Sequence, residues 1–396
     1  MSTLKVDAIR HNSATSDAIT TASDGTCSAK LTSVGGGQLS HRNLIINGDY
    51  RISQRATSST SNGYQTMDRW YMYSLNTGVT VTTAQVAVTS GNAYDDGFRK
   101  AAKISLSGAG TLAADSQIQL FTKLEGQDIA NSGWNYKSAS SFITLSFWVK
   151  SSTAQAFPVH IRTDDGTSYA YSFTYTVAQA NVWQKITKSI PGNSNLTIDD
   201  DNGSGLRVYA AMPVQGSNFD GATADTWAVN ATATRVPPVT DTWLTAGAST
   251  FEITGVQLEV GDTPTSFEHR SFADELLRCQ RYYFKFHPDD AGDTDSFCWA
   301  GKGAGSSGVD YNFILPCPLR ASPTINLDTS GGGNVRATKG TSGNGTSTTN
   351  PTVSGFNIHY PFICLRQLGF SGMSDNVVSM VSLSSTGVFI EFTAEL

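Results

Sequence analysis

Residues 255–284, GVQLEVGDTPTSFEHRSFADELLRCQRYYF, join the end of a strand pattern, a turn and the one convincing helical pattern of the chain. Ser271 is placed to cap the first helical turn, and Asp274 follows three residues later, in the acidic form of a capping box. The segments before this stretch have the pattern of strands and loops, and the same pattern returns after it. The sequence therefore predicts a short helix that connects two β domains.

The predicted helix, residues 271–284, carries a narrow apolar seam. Its members recur at steps of four, three and four residues: Phe272, Leu276, Cys279 and Tyr283. A helix only about 20 Å long is marginal by itself in water, so the seam must be buried. Two options stay open, burial on the chain's own β domain or burial against copies of the helix around a symmetry axis.

The composition favours strands and turns over long helices. Of 396 residues, 15% are charged and 37 are glycine, whereas about 25% of an average protein is charged. No Lys/Arg cluster with interleaved aromatic residues occurs, which argues against a nucleic-acid partner. The N-terminus lacks the apolar core of a signal peptide, and no segment has the roughly 18 apolar residues of a membrane span. We therefore expect a soluble protein that is made in the cytoplasm and does not insert into membranes.

The cysteines are scattered and odd in number, without a CxxC pair, which makes a disulfide framework or a zinc site improbable. They are expected to be small buried hydrophobic residues: Cys27, Cys279, Cys298, Cys317 and Cys364.

Residues 1–42 form a polar, alternating segment with a turn signal at Ser23-Asp24-Gly25. The segment has too little apolar surface for a core of its own. It predicts either a disordered tail or a strand-forming arm that is ordered by sister chains or by docking on a larger assembly.

Residues 43–270 show short strand patterns at the spacing of a β-sandwich, after a tight-turn signal at Asn47-Gly48. The clearest strand, FITLSFWVK, places Ile143 and its alternate neighbours on one face and Trp148 on the other. In FEITGVQLEV the alternation changes parity, which makes Gly255 a candidate β-bulge. Residues 285–396 predict a second, compact β domain with a long exposed loop from 329 to 349.

Candidate chemistry is sparse in this sequence. Asp200, Asn202 and Ser204 match the opening of a calcium loop, but position 12 falls on Ala211 instead of a bidentate glutamate. An ordinary acidic turn is the alternative, and we predict no metal and no cofactor. Cleavage of a polysaccharide would need two carboxylates about 5 to 9.5 Å apart, and the available aspartates lie in turn-like settings. The chain is therefore not expected to be an enzyme.

Glycan binding relies on aromatic faces that stack on sugar rings, flanked by polar groups that bond hydroxyls. In the C-terminal domain five residues are candidates for such a receptor-binding site, with core packing as the alternative role of each: Trp299, Tyr311, Phe356, His359 and Tyr360.

Seven segments are distinctive enough for comparison: NLIINGD, RISQR, DRW, the strand end FWVK, QLEVGDTPTSFEHRSFADELLRCQRYYF, PCPLRASPT and the arm motif LKVDAI. Together they resemble a recurrent family of bacteriophage tail-fibre and virion-fibre proteins, with an N-terminal arm similar to those on fibres of phages that infect cyanobacteria. The region from 43 to 284 also resembles carbohydrate-binding-module-like jelly rolls.

The resemblance implies a homotrimer on the exterior of a virion, with a host-facing C-terminal domain. Its expected parts are a virion-anchoring arm (1–42), a jelly-roll domain (43–270), a connecting helix at the trimer axis (271–284) and a receptor-binding β-sandwich tip (285–396). The arm would dock on a tail or other virion protein, and the tip would adsorb to host lipopolysaccharide or another surface glycan. A polysaccharide depolymerase and a fibre anchored on the head or neck are the alternatives.

Overall fold

The computed structural model describes residues 6–10, 19–21, 23, 27–29, 41–286, 297–305, 307–328, 335–339, 345–348, 352–359, 362–368, 370, 378–383 and 389–396. The all-β prediction is confirmed, because antiparallel sheets make up the fold. Among the described residues one helix, α4 (Phe272–Gln280), is longer than five residues. The other three are single turns without a detectable helical period: α1 (Asn92–Asp95), α2 (Gly126–Ala130) and α3 (Thr242–Thr245). None of the described helices is long and apolar enough to span a membrane.

The N-terminal segment contains a small antiparallel sheet in the order β1-β2-β3. Its strands are β1 (Ala8–Ile9), β2 (Ile19–Thr21) and β3 (Cys27–Ala29). The side chain of Thr21 donates hydrogen bonds to the carbonyl groups of Val6 at 2.8 Å and Asp7 at 3.0 Å. The described residues of this segment therefore form strands, and an arm that is ordered by sister chains or by a larger assembly stays a prediction.

The central domain is a sandwich of two six-stranded antiparallel sheets. Its strands are β4 (Ser58–Ser59), β5 (Tyr71–Leu75), β6 (Val81–Ala87), β7 (Lys100–Leu106), β8 (Gln117–Glu125), β9 (Phe142–Ser151), β10 (Ala156–Thr163), β11 (Tyr169–Thr176), β12 (Gln184–Pro191), β13 (Ser204–Gln215), β14 (Trp227–Val229) and β15 (Thr250–Val260). Sheet I has the order β14-β11-β10-β13-β8-β5, and sheet II has the order β12-β9-β15-β7-β6-β4. One apolar cluster fills the space between the two sheets.

Strand β9 behaves as its alternation predicts. Ile143, Leu145 and Phe147 lie in the cluster between the sheets, while Trp148 lies on the opposite face of sheet II. There Trp148 packs with Phe98 in a smaller apolar cluster, so it is covered and not free for a ligand.

The predicted bulge at Gly255 is confirmed. The register between β15 and β9 shifts between Thr254 and Gln257, and Gly255 has a φ of +64°. A Cβ atom at this position would lie 2.4 Å from Cζ of Phe98. Glycine is therefore required twice, for the left-handed backbone and for the approach of the aromatic ring.

Helix α4 begins where the sequence predicts and ends earlier. The Ser271 side chain accepts a hydrogen bond from the Asp274 backbone N–H at 3.1 Å, which confirms the cap. The prediction that the helix extends to residue 284 is wrong, because it ends at Gln280. Tyr283 begins the next strand instead. That strand pairs with residues 390–393, and this long-range pairing outweighs the helical spacing of the seam residues.

The C-terminal domain has strands β16 (Tyr283–Phe286), β17 (Phe297–Ala304), β18 (Gly308–Ile314), β19 (Thr324–Asp328), β20 (Val335–Lys339), β21 (Gly345–Thr348), β22 (Thr352–His359), β23 (Phe362–Leu368), β24 (Val378–Leu383) and β25 (Phe389–Thr393). They form a three-stranded sheet, β16-β25-β19, and a seven-stranded sheet, β21-β20-β24-β17-β18-β23-β22. A second apolar cluster forms this domain's core, as the prediction of a β tip requires.

Two cysteines behave as predicted. Cys279 and Cys317 are buried, and burial raises the pKa of both thiols. Cys364 is partly buried. All three are free thiols, and the side chains of Cys27 and Cys298 lie outside the described residues.

Two of the segments that carry the family resemblance, NLIINGD and DRW, are bonded to each other, and the first is bonded to α4, the helix between the two β domains. The Asn47-Gly48 turn is confirmed by a φ of +57° at Asn47 and a 3.1 Å hydrogen bond from the Tyr50 backbone N–H to the Asn47 carbonyl. The Asn47 backbone N–H donates to Glu275 of α4, and the Trp70 indole N–H donates to the Asn47 carbonyl at 3.0 Å. These segments therefore attach the helix to the central domain.

Residues near the beginning and the end of the C-terminal tip domain bond it to the central domain. The buried Glu125 carboxylate of β8 accepts hydrogen bonds from Arg281 at 2.7 and 2.8 Å and from the Tyr282 hydroxyl at 2.5 Å. Arg69 forms an ion pair with Glu395, and its guanidinium lies 3.4 Å from the centre of the Tyr282 ring. The central domain thus contacts the tip domain through two segments that are more than 100 residues apart in sequence.

Candidate functional site

The outer face of sheet I, which points away from sheet II, carries a second pattern of side chains. Along β8, Leu120 lies in the core between the sheets, whereas Phe121 belongs to a separate cluster. The same alternation holds on β13, where Val208 is in the core and Tyr209 is in the separate cluster. Period-two alternation therefore places a distinct surface on the side of sheet I that faces away from the core.

An aromatic ladder crosses this face. Tyr71 of β5, Phe121 of β8, Tyr209 of β13 and His160 of β10 are directly paired in register from strand to strand. The ring centres of successive members are 4.9, 4.7 and 5.1 Å apart, which is within the range of favourable aromatic contacts. Tyr71 is partly exposed at the edge of the sheet, where the partly exposed Tyr64 ring packs edge-on against it at 5.1 Å.

A cationic row runs beside the ladder. Lys123, Arg207 and Arg162 are paired in register on β8, β13 and β10. Asp164 is the acidic partner that the described contacts give to the arginines, with 2.9 Å to Arg207 and 3.1 Å to Arg162. Burial, and then the positive charge of Arg207, lower the pKa of Lys123 to about 8. This row therefore has an excess of positive charge.

Amide groups lie on the other side of the ladder. The Gln119 side chain donates to the Gln117 side chain at 2.8 Å and to the Gln215 side chain at 3.3 Å. Arg235 donates to Gln117, and Tyr73 is paired with Gln119 across β5 and β8. Aromatic, cationic and amide groups thus share one face of sheet I. Phe121, Tyr209, His160 and the glutamines are buried there, and Tyr71 and Tyr73 are the partly exposed rings that can stack on the ring face of a sugar.

His160 lies at the buried end of the ladder. Its Nδ1 is 2.9 Å from the Ser172 hydroxyl, which itself donates to the Arg235 carbonyl at 2.6 Å. Because the hydroxyl proton is used on the carbonyl, the imidazole proton lies on Nδ1. Nε2 is then a buried acceptor without a hydrogen-bond partner. Burial, followed by the charges of Arg235 and Arg162, lowers the pKa of His160 to about 3.

A cleft of about 220 Å³ opens where the ladder reaches β11. Ala170 and Ser172 of β11 form its floor, and Ala222, Thr226 and Val229 are among the residues of its walls. Arg162 of β10 is paired directly with Ala170, one of the residues that line this cleft.

The receptor-binding residues predicted in the tip are not brought together by the described part of the chain. Tyr311 is 1% exposed in the core of the tip domain, and its hydroxyl donates to Gln367 at 2.5 Å. The side chains of Trp299, Phe356 and His359 lie outside the described residues, as does the whole of Tyr360. For Tyr311 the alternative role, core packing, is the one the structure gives.

The predicted helical seam is divided between two environments. Cys279 and Tyr283 are buried within the chain itself, Leu276 is partly buried, and Phe272 is 57% exposed. Leu277, which was not part of the predicted seam, is also exposed. The apolar surface that α4 leaves uncovered therefore consists of Phe272 and Leu277.

The weak calcium candidate has other partners. Asp200 accepts a hydrogen bond from Asn131 at 2.8 Å, Asn202 donates to the Arg320 carbonyl at 2.6 Å, and Ser204 donates to Asp164 at 2.6 Å. These contacts point the three side chains to three different partners. Within the described ranges, no group of three or more His, Cys, Asp or Glu residues is arranged to hold a metal ion.

The outer face of sheet I was not predicted from the sequence. Its aromatic members come from four strands that are far apart in the chain, and only the strand order brings them into register. The available signal was the repeated alternation of an aromatic residue with an aliphatic one, as in Tyr71-Met72 and Leu120-Phe121.

Comparisons with known proteins concern the fold alone. No family model matches the chain, and no curated protein matches it. Among solved structures, the enzymatically active domain of bacteriophage CBA120 tailspike protein 4 is similar at a TM-score of 0.29 and 13% identity, over 55% of this chain and 21% of that chain. A CBM4 carbohydrate-binding module is similar at 0.29 and 15%, over 54% of this chain and 97% of the module. The family 11 carbohydrate-binding module of the Clostridium thermocellum cellulase Lic26A-Cel5E is similar at 0.26 and 14%, over 55% and 100%. Scores and identities at this level carry no argument about what this chain binds.

Proposed function

We propose that this chain is the subunit of a trimeric virion fibre that adsorbs to a glycan on the host surface and does not cleave it. In this proposal residues 1–42 join a tail or other virion protein, and the β domains face the host. The glycan-contacting surface among the described residues is the outer face of sheet I, with the 220 Å³ cleft at its end.

The observation that carries the glycan proposal is the register of the aromatic ladder with its polar flanks. Tyr71 and Tyr73 are partly exposed at the edge strand, beside the amides of Gln117 and Gln119. A sugar presents an apolar ring face and a rim of hydroxyl groups, so it needs both kinds of partner within one ring's width. Three such faces in a trimer would raise the effective concentration of a weak site.

The virion role is supported by the resemblance of residues 255–284 to phage fibres and by two features of the chain. The N-terminal residues that are described form a small, mostly exposed sheet, which suits a segment that needs a partner. Phe272 and Leu277 are exposed apolar side chains about 140° apart around the axis of α4, and each is available for contact with a sister helix. A depolymerase or a head-anchored fibre stays the alternative to this assignment.

The glycan proposal is tested on an array of bacterial surface polysaccharides. We expect the full chain to bind members of the array and Tyr73→Ala to bind them at least about threefold more weakly, because a half-exposed aromatic contact is lost. Tyr94→Ala, on α1 at the other sheet, is the matched control and should bind like the wild type. If Tyr73→Ala binds unchanged while Phe362→Ser, in the tip, loses binding, the tip and not sheet I is the adsorbing surface.

Catalysis and assembly are tested separately. New reducing ends after incubation of the protein with a bound polysaccharide would replace the adhesin proposal by the depolymerase. Sedimentation at micromolar concentration should give the mass of a trimer, and replacing Phe272 and Leu277 together by aspartate should weaken it. A sharply monomeric mass for the wild type would overturn the fibre proposal.

A further inference from the structure

The cations on the outer face of sheet I exceed what its own acids neutralise. Lys123, Arg162 and Arg207 are register neighbours, and Arg235 lies close enough to Arg162 for the like charge to contribute to its lowered pKa. Against these four cations the described contacts provide one side-chain carboxylate, that of Asp164, which faces Arg162 and Arg207. Lys123 donates to the Leu396 main-chain oxygen at 2.6 Å, and Arg235 donates to the Gln117 side chain. Like charges directly opposite in a sheet are destabilising, so the arrangement has a cost in the free protein that a bound anion would remove.

The surplus of positive charge is confined to this face of sheet I and does not follow from the composition of the whole chain. The whole chain has a formal net charge of -6, so the average of its surface is negative. On this face, however, every charged side chain that shifts the pKa of His160 is an arginine: Arg235, Arg162 and Arg207. A positive patch on an acidic protein attracts anions selectively over the surrounding surface.

Two members of the cationic row are partly exposed. The Arg162 side chain is 23% exposed and that of Arg207 is 18% exposed. Arg162 is paired with Ala170, which lines the cleft, and its buried Nε lies 3.1 Å from Asp164. The rest of the guanidinium is suited to a carboxylate or phosphate, because its planar fork matches their paired oxygens.

We propose that the cleft and the row Lys123–Arg207–Arg162 form a subsite for the acidic group of an anionic sugar, a carboxylate or a phosphate. The inference rests on the proposed glycan adsorption and specifies its ligand class. The sugar ring lies towards the cleft walls, and its acidic group pairs with Arg162.

The test uses the full chain on acidic glycans in matched pairs. Each uronate-containing polysaccharide is compared with its carboxyl-reduced form, and a phosphomannan is compared with its phosphatase-treated form, so the two sources of the anion are separated. We expect binding to the acidic member of at least one pair, a loss of about tenfold or more on neutralisation, and weakening by salt. Arg162→Gln should lower binding about tenfold or more, Arg162→Lys should restore part of it, and Lys137→Gln, an exposed residue with the same charge change, should have no effect.

The possible failures are distinguishable. Equal binding to the neutral and acidic members, unaffected by Arg162→Gln in a protein with wild-type melting temperature, overturns the anionic subsite and leaves glycan adsorption standing. Binding to no member of either kind overturns both. Equally tight binding to single-stranded DNA would show a general polyanion surface and overturn the assignment to sugars.

Discussion

Protonation of His160 should make the fold lose stability in mild acid. The imidazole is fully buried, and its pKa is lowered from 6.5 to about 3 by burial and by neighbouring arginines. Above pH 6.5 neither the folded nor the unfolded chain binds this proton, and the stabilising contribution is complete. Below pH 6.5 the unfolded chain binds it while the folded chain does not, so stability falls as the pH falls towards 3.

The magnitude follows from the pKa difference. At pH 4.5, two pH units below the unfolded pKa, the loss of unfolding free energy is about 2.7 kcal/mol at ~1.36 kcal/mol per unit. In His160→Asn the amide keeps a partner for Ser172 and cannot be protonated, so this part of the pH dependence should vanish. The cavity left by the smaller side chain lowers stability by the same amount at every pH, and therefore does not imitate the effect.

The assay is urea unfolding followed by tryptophan fluorescence at pH 7.0 and pH 4.5, at one protein concentration. Burial raises the pKa of Asp68 to about 6 and that of Asp241 to about 7. Because the folded chain protonates these two acids at a higher pH than the unfolded chain does, both stabilise the fold as the pH falls. They do so in wild type and variant alike, so their contributions cancel in the comparison. His41→Asn, at an exposed histidine, is the control that should keep the wild-type pH dependence. If wild type and His160→Asn lose the same free energy between the two pH values, the buried-imidazole argument is refuted.

Two further substitutions test the packing directly. Gly255→Ala should cost about 1 to 2 kcal/mol for the left-handed backbone plus the clash with Phe98. Gly305→Ala, at a similar φ of +71° and with open space around its Cβ, should cost the backbone part alone, and equal losses of melting temperature would contradict the clash. Glu125→Gln leaves Arg281 without its charged partner at the junction and should lower the free energy of unfolding by about 3 kcal/mol. Calorimetry of this variant should resolve separate unfolding transitions for the central and tip domains. A single transition at the wild-type temperature would show that this ion pair does not couple the two domains.

The sequence was sufficient where a pattern is local. Strand β9, the Gly255 bulge and the Ser271 cap depend on residues within one segment, so alternation and capping rules locate them. The end of α4 was misplaced because the partner of Tyr283 is Thr393, which is distant in the chain.

The candidate site was less predictable for related reasons. Tyr311 belongs to the alternation of Val309, Tyr311 and Phe313, which are all in the tip core, and that period-two pattern favours packing over binding. The ladder from Tyr71 to His160 depends on the order of strands in sheet I, which is β10-β13-β8-β5 at this point and is not encoded in any single segment. Strand order arises from long-range packing, so local patterns cannot supply it.

The chain passes from the central domain to the tip domain just before β16, and residues 394–396, which follow β25, contact the central domain beside this passage. The Ala394 backbone N–H donates to the Tyr282 carbonyl at 2.7 Å, and the two segments are held separately, by Glu125 on Arg281 and by Arg69 on Glu395. A tip held by one linker can swivel, but rotation about two bonded strands must shear the contacts between them. A pull on the tip is also divided between two anchors. We therefore expect the junction to transmit torque and tension between the domains as a stiff coupling and not as a hinge.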